Sequence, residues 1–173
     1  ARPDGDCIGS QVGMSRLLAS QGIENVCVNG DAVPERLLFL VPDMKFLRTD
    51  DILPIADQFT AVFVDCADGA RCGDRLQVIF PRPYAMVDHH ISNQGYAEHD
   101  FVEPNSASTT EILARVCLDL DIPIDAVAAQ ALYTGILTDT GQFKFPATTR
   151  NTFLLAAELF RCGAKPSEAG YEL

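Results

Sequence analysis

The sequence has few basic side chains and no apolar run near the ~18 residues that a membrane-spanning helix needs. Lysine and arginine number 13 against 24 aspartates and glutamates, which gives a formal net charge of −11. So acidic a chain lacks the broad basic surface that long duplex nucleic acid requires. We therefore predict neither a membrane nor a long nucleic-acid duplex as a partner.

The six cysteines include no C-x-x-C pair, the spacing typical of metal-binding and redox motifs. They are spread along the chain in mostly apolar surroundings, at Cys7, Cys27, Cys66, Cys72, Cys117 and Cys162. This pattern favours buried, reduced thiols over a disulfide framework. We therefore predict a cytoplasmic location.

Strand and helix patterns alternate along the 173 residues, which suffice for one domain. Continuous apolar runs at residues 61–64 and 84–87 are typical of strands covered on both faces, as in parallel sheets. Shorter strand patterns occupy residues 25–29 and 101–102. The predicted class is α/β, an open and mainly parallel β-sheet flanked by helices.

Several helix ends are marked by residues that cap helices. Ser108 precedes an apolar stripe with a glutamate three positions on, and Asp125 precedes another stripe. Apolar spacing from Ile8 ends at Gly22, and a last helix is predicted from about residue 149 to 161. Residues 32–57 carry no clear pattern.

Acidic residues gather at the ends of these predicted elements. Asp4 and Asp6 precede the first helix, Asp65 and Asp88 follow strands, and Asp139 follows a helix predicted to end at Leu137. In isolation each is also typical of a turn or a helix cap. Ligands of open parallel sheets bind beyond the carboxyl ends of the strands, so the acids are expected to meet there.

Several carboxylates in one place cannot all stay ionised without a counter-charge. Carboxylates mixed with imidazole, here from the adjacent His89 and His90, suit Mn²⁺, Mg²⁺ or Fe²⁺ better than structural zinc. Two such ions sharing a carboxylate would activate a water and stabilise phosphoryl transfer. We therefore predict a site for two ions, with Mn²⁺ as the expected metal.

Four segments, taken in order, resemble the four motifs of the DHH phosphoesterases over nearly the whole chain. They read R-P-D-G-D-C-I-G-S at residues 2–10, V-D at 64–65, D-H-H-I-S-N at 88–93 and T-D-T-G at 138–141. Their wording is most similar to the NrnA-like branch. Its members degrade very short oligoribonucleotides and remove the 3′-phosphate of 3′-phosphoadenosine 5′-phosphate (pAp). The resemblance implies a Rossmann-like DHH domain.

The resemblance also implies a set of metal ligands. Asp4 is expected to bind the first ion and Asp6 the second, with Asp65 bridging the two. His89 and Asp139 are expected to complete the second site.

Further roles follow from the same resemblance. His90 is expected to face the substrate phosphate, and Asp88 to orient its neighbours. Ser10 and Asn93 are weaker candidates for polar contacts to the substrate. The expected catalytic residues are Asp65, Asp88, His89 and His90.

The resemblance identifies residues 1–173 as the DHH catalytic domain. Its first motif implies a histidine immediately before Ala1, so we expect the sequence to lack an N-terminal part that holds this ligand and the first strand of the sheet. The glycine-rich, histidine-containing motif of the family's C-terminal domain is not found after Asp139. The chain is therefore expected to supply the metals but only half of the substrate cleft.

The implied function is that of a two-metal phosphoesterase, a 3′–5′ exoribonuclease on short oligonucleotides and a nucleotide phosphatase. Its reaction would be in-line attack of a metal-bridging hydroxide on a phosphate. A cyclic-di-nucleotide phosphodiesterase or an exopolyphosphatase of the same family is an alternative. A non-catalytic nucleotide- or metal-binding regulatory module is an alternative of another class. Association as a homodimer is left open.

Overall fold

A computed structural model describes residues 3–42 and 44–172 of the chain. The first motif begins at Arg2, which lies outside the described residues, as does Ala1. The expectation of a histidine before Ala1 therefore stays a prediction.

Five short strands, all paired in parallel, form the sheets of the described residues. They are β1 (Cys27–Asn29), β2 (Phe46–Arg48), β3 (Val62–Val64), β4 (Ala85–Asp88) and β5 (His99–Val102). β1 pairs with β2, while β4 lies between β3 and β5. The predicted α/β class with parallel strands is confirmed, although the strands form two sheets rather than one.

A groove of about 1060 Å³ is lined by strands of both sheets. Its lining includes residues of β1 and β3, and it reaches Asp4, Asp65 and His90. Within the described residues, β1 and β3 do not pair with each other. The expected first strand of the sheet stays a prediction.

Helices surround the strands and make up most of the second half of the chain. They are α1 (Gly5–Ser20), α2 (Thr49–Ile52), α3 (Asp74–Ile79), α4 (Thr109–Asp119), α5 (Ala126–Asp139), α6 (Arg150–Arg161) and α7 (Pro166–Glu172). Short 3₁₀ helices occupy Glu35–Leu40, Leu53–Gln58 and Gly69–Cys72. None of the helices in the described ranges combines the length and the apolar character that crossing a membrane requires.

The predicted helix caps are confirmed by their hydrogen bonds. The Ser108 hydroxyl accepts from the backbone N–H of Glu111, and Asp125 and Thr149 cap α5 and α6 in the same way. The Glu111 carboxylate accepts from the backbone N–H of Ala107, one residue before the cap. These side chains satisfy donors that a helix N-terminus leaves without partners.

Several sequence-based boundaries differ from the structure. Asp6 lies in the first turn of α1 rather than before the helix, and Asp88 is the last residue of β4 rather than the residue after it. α5 continues to Asp139 rather than ending at Leu137, so this aspartate is the last residue of the helix and not a turn residue.

Residues 32–57 contain β2, α2, one 3₁₀ helix and most of a second one, which ends at Gln58. A three-residue strand beside helices of four to six residues is too short to show a hydrophobic period, which explains why the pattern gave no assignment.

All six cysteines lie in the described part of the chain and are free thiols. Cys27, Cys66 and Cys117 are buried, and the other three are half-buried. The prediction of reduced thiols agrees with this arrangement.

Close packing of α1 against α5 brings the start of α1 beside the end of α5. A Cβ atom on Gly9 would lie 2.5 Å from the backbone oxygen of Ala131, so α1 and α5 approach each other more closely than a side chain permits. A Cβ atom on Gly5 would lie too close to the side chain of Thr138, near the end of α5. The start of α1, with Asp6, is thereby held beside Asp139.

We expect Gly9→Ala to lower the free energy of unfolding by about 1–3 kcal/mol, because the added methyl group meets backbone that cannot rotate away. Urea unfolding followed by circular dichroism measures the change. Gly170→Ala is the matched control: it lies in α7 with open space around it, where alanine favours the helix. Equal stability of Gly9→Ala and the unmodified chain would contradict the packing described.

Candidate metal centre

Aspartates and histidines from four separate segments converge at the carboxyl ends of β3 and β4. Asp65 follows β3, His89 and His90 follow β4, Asp6 comes from α1 and Asp139 ends α5. Their ligand atoms form two groups that could hold a metal ion, Asp6 with His89 and Asp139, and Asp65 with His89 and His90. Within each group the atoms lie within 4.8 Å of one another.

His89 lies at the centre of the cluster. Its Nε2 atom is 3.2 Å from Asp139 Oδ2, 3.8 Å from Asp65 Oδ1 and 3.9 Å from Asp6 Oδ2. The Nδ1 atom is 3.3 Å from the carbonyl oxygen of Ser106, an acceptor that keeps the ring proton on Nδ1. Nε2 is buried without a hydrogen-bond partner among the described residues, as expected of a nitrogen that ligates a metal.

The Asp6 carboxylate is fully buried and contacts the N-terminus of α4. Oδ2 accepts from the backbone N–H of Thr109 at 2.8 Å, and Oδ1 accepts from the backbone N–H and the hydroxyl of Thr110 at 2.9 and 2.5 Å. The sequence reasoning missed both threonines. The sequence pattern identified Ser108 as a helix cap, with Glu111 three positions on, and the two threonine hydroxyls between them were a signal of further polar contacts.

Asp65 adopts a left-handed backbone conformation, with φ of 54°. Such a conformation costs a non-glycine residue about 1 kcal/mol. Its backbone N–H still donates to the carbonyl of Val87, and Tyr96 donates its hydroxyl to the next carbonyl, that of Cys66, at 2.8 Å. The Thr109 hydroxyl donates to Asp65 Oδ1 at 3.2 Å. The conformation is therefore held from both backbone and side chain.

His90 is oriented by a buried aspartate. Its Nδ1 atom is 2.7 Å from Asp88 Oδ1, and Asn93 donates to Asp88 Oδ2 at 2.6 Å. These hydrogen bonds lower the pKa of Asp88 even though burial acts in the opposite direction. Asp88 therefore stays an anion that fixes the His90 ring, whose side chain is 31% exposed.

Three residues predicted for the site have other surroundings in the structure. Asp4 is exposed, caps α1 by accepting from the Cys7 N–H at 3.0 Å, and belongs to neither three-residue metal group. Ser10 is fully buried, and its hydroxyl has no hydrogen-bond partner in the described ranges. Asn93 is also buried, beside Asp88. The roles predicted for the three stay predictions.

Burial and neighbouring charges shift the pKa values of several residues in the cluster. Burial and the Asp139 charge raise the pKa of Asp6, against hydrogen bonds from Thr110. Burial and the Asp6 charge raise the pKa of Asp65. Burial lowers the pKa of His89, but Asp139 and Asp6 outweigh it and raise it to about 9. The raised pKa values mean that the cluster binds protons, and a divalent cation would supply positive charge in their place. The oxygen and nitrogen donors of the cluster fit Mn²⁺, Mg²⁺ or Fe²⁺.

Without divalent cations we expect the melting temperature to fall as the pH rises from 6.5 to 9. His89 and Asp65 both bind protons more tightly in the folded chain, so their contribution is present at low pH and is lost through this window. Asp65→Asn should reduce the fall, whereas Asp57→Asn, which removes an exposed carboxylate of equal charge, should not. Differential scanning calorimetry in chelator makes the comparison. An equal dependence of melting temperature on pH in the two variants would contradict the contribution assigned to Asp65.

Comparison with known proteins agrees with the motifs. A family model described as the DHH family, N-terminal domain, matches residues 1–136. The chain is 33% identical to the bifunctional oligoribonuclease and PAP phosphatase NrnA of Thermus thermophilus, over 96% of this chain and 49% of the relative. It is 31% identical to the probable protein of that name from Streptococcus mutans, over 92% and 50%. The chain thus spans about half the length of these curated relatives.

A solved structure shows the same architecture. The crystal structure of an exopolyphosphatase-related protein from Bacteroides fragilis superposes with a TM-score of 0.85 at 26% identity, covering 98% of this chain and 53% of that one. With the family match over residues 1–136 and the four motifs gathered around His89, this shows that the chain belongs to the DHH family.

Proposed function

We propose that this protein is a metal-dependent phosphohydrolase that cleaves phosphate esters of short oligoribonucleotides, of pAp, or of both. The main support for the proposal is the Nε2 atom of His89. It is buried without a hydrogen-bond partner among the described residues and is surrounded by the carboxylates of Asp6, Asp65 and Asp139. Three acids around one unpartnered imidazole nitrogen favour a cation site over a set of turn residues and caps.

Two ions are proposed, with Mn²⁺ as the first choice. Asp6, His89 and Asp139 would hold one ion, because their ligand atoms already form a group of the right composition. Asp65 would bridge to the other ion, since its Oδ1 is 3.7 Å from the Nδ1 of His90 and 3.8 Å from the Nε2 of His89. Asp4 is the candidate for the remaining contact to that ion.

The charge of the site makes the cations necessary for an anionic substrate. Without them, the acidic side chains of Asp6, Asp65 and Asp139 offer a phosphate no strong attraction, in a chain whose net charge is already −11. When bound, divalent ions invert the local field, activate water as a nucleophile and stabilise negative charge on phosphoryl oxygens. The acidic composition therefore agrees with a small anionic substrate.

His90 is the proposed contact to the substrate phosphate. Asp88 accepts a hydrogen bond from Nδ1, which fixes the orientation of the ring. A partly exposed imidazole ring held in this way can, when it carries a proton on Nε2, donate a hydrogen bond to a phosphate oxygen. Asn93 supports the arrangement through Asp88.

The names of the relatives support the substrate class. Both curated relatives described above are named for oligoribonuclease and PAP phosphatase activities. We propose a 3′–5′ exoribonuclease and nucleotide phosphatase activity, with residues 1–173 as the DHH catalytic domain. The free thiols agree with the proposed cytoplasmic location.

We expect Asp65→Asn to lower Mn²⁺-dependent turnover of a di-ribonucleotide at least about 100-fold, because it removes the charge shared by the two ions. Asparagine tolerates the left-handed backbone, so the fold should be retained, as circular dichroism would show. Asp57→Asn controls for the lost charge. Retained Mn²⁺-dependent activity in Asp65→Asn would refute the assignment.

We expect the protein with Mn²⁺ to hydrolyse a di-ribonucleotide and pAp faster than cyclic-di-AMP or polyphosphate. Rates measured side by side by chromatography test this, with chelator as the control. Preference for either of the last two substrates would contradict the proposal. Calorimetric titration tests the regulatory-module alternative: two bound Mn²⁺ ions support an enzyme, and one or none supports the module.

A further inference from the structure

The first turn of α4 contacts two carboxylates of the metal centre at once. The backbone N–H of Thr109 donates to Asp6 Oδ2 at 2.8 Å, and the hydroxyl of the same residue donates to Asp65 Oδ1 at 3.2 Å. Thr109 is fully buried. One residue, through its backbone N–H and its hydroxyl, thus links an aspartate from each of the two metal groups.

The neighbouring threonine determines which atom of Asp6 is free to bind a cation. A carboxylate offers about four lone-pair positions, two on each oxygen. Thr110 occupies both positions on Oδ1 with its N–H and hydroxyl, and Thr109 occupies one on Oδ2. The remaining position is on Oδ2, the oxygen that lies 3.9 Å from His89 Nε2.

The packing of α5 leaves space for this arrangement. A Cβ atom on Gly135 would lie 2.5 Å from the Thr110 hydroxyl oxygen and 2.9 Å from Asp6 Oδ1. The contact between Thr110 and Asp6 therefore fits only because α5 has no side chain at this point. Three helices meet at this hydrogen bond, which makes it more than the capping of one helix end.

We propose that Thr109 and Thr110 are positioning residues, which hold the Asp6 and Asp65 carboxylates in the orientation that binds the metal ions. The inference rests on the proposed metal-dependent function. Hydrogen bonds to ligating carboxylates fix their oxygens before a cation arrives, and the positive end of α4 stabilises the buried anion. Neither threonine belongs to the four sequence motifs.

The test compares valine and serine at the two positions. Thr109→Val and Thr110→Val remove the hydroxyl and keep the shape, whereas Thr109→Ser and Thr110→Ser keep the hydroxyl. Thr134→Val is the matched control, because that buried threonine donates its hydroxyl to the carbonyl of Gln130, within its own helix. The readouts are Mn²⁺ affinity by calorimetry and melting temperature in chelator, followed by turnover.

We expect each valine variant to bind Mn²⁺ about 10- to 100-fold more weakly, the serine variants to retain most of the affinity, and Thr134→Val to match the parent chain. Equal Mn²⁺ affinity in the parent and both valine variants would overturn the positioning role and leave the proposed function intact. Failure of the parent to bind Mn²⁺ would overturn both. If one valine variant does not fold, the other decides, because the two hydroxyls contact different carboxylates.

Discussion

The buried carboxylate of Asp6 joins the first helix of the chain to a helix that begins 103 residues later. A fully buried carboxylate is costly unless hydrogen bonds and nearby positive charge offset the loss of water. The first turn of α4 supplies three hydrogen bonds and the positive end of a helix. This contact fixes α1 relative to α4, and the other candidate metal ligands are arranged around it.

Two structural features bring the remaining acids to Asp6. Gly5 and Gly9 of α1 permit the close approach of α5, and this approach places Asp139 near Asp6. The parallel pairing of β3 and β4 places Asp65 and His89 at the same edge of the sheet. Burial, and then the neighbouring carboxylates, raise the pKa values of Asp6 and Asp65. Such an arrangement is unfavourable for the chain alone and suits a site that receives divalent cations.

The surrounding polar groups divide into two networks. Asp88 and Asn93 hold His90 on the exposed side, while Thr109 and Thr110 hold Asp6 and Asp65 on the buried side. In both networks, a buried hydrogen-bonding group orients a residue of the candidate metal centre. The left-handed backbone of Asp65 lies between them, and Tyr96 holds its following carbonyl.

Local sequence patterns were sufficient to predict several strands and helix starts and to identify the family. The apolar runs before Asp65 and Asp88 identified β3 and β4, Ser108 marked the start of α4, and the order of the four motifs identified the family. These features depend on neighbouring residues, which a pattern can display. A local pattern could not show that α5 extends to Asp139, that the strands form two sheets, or that Ser10 is buried. The threonines of α4 also meet Asp6 only in the folded chain, because helix packing brings together segments that are far apart in sequence.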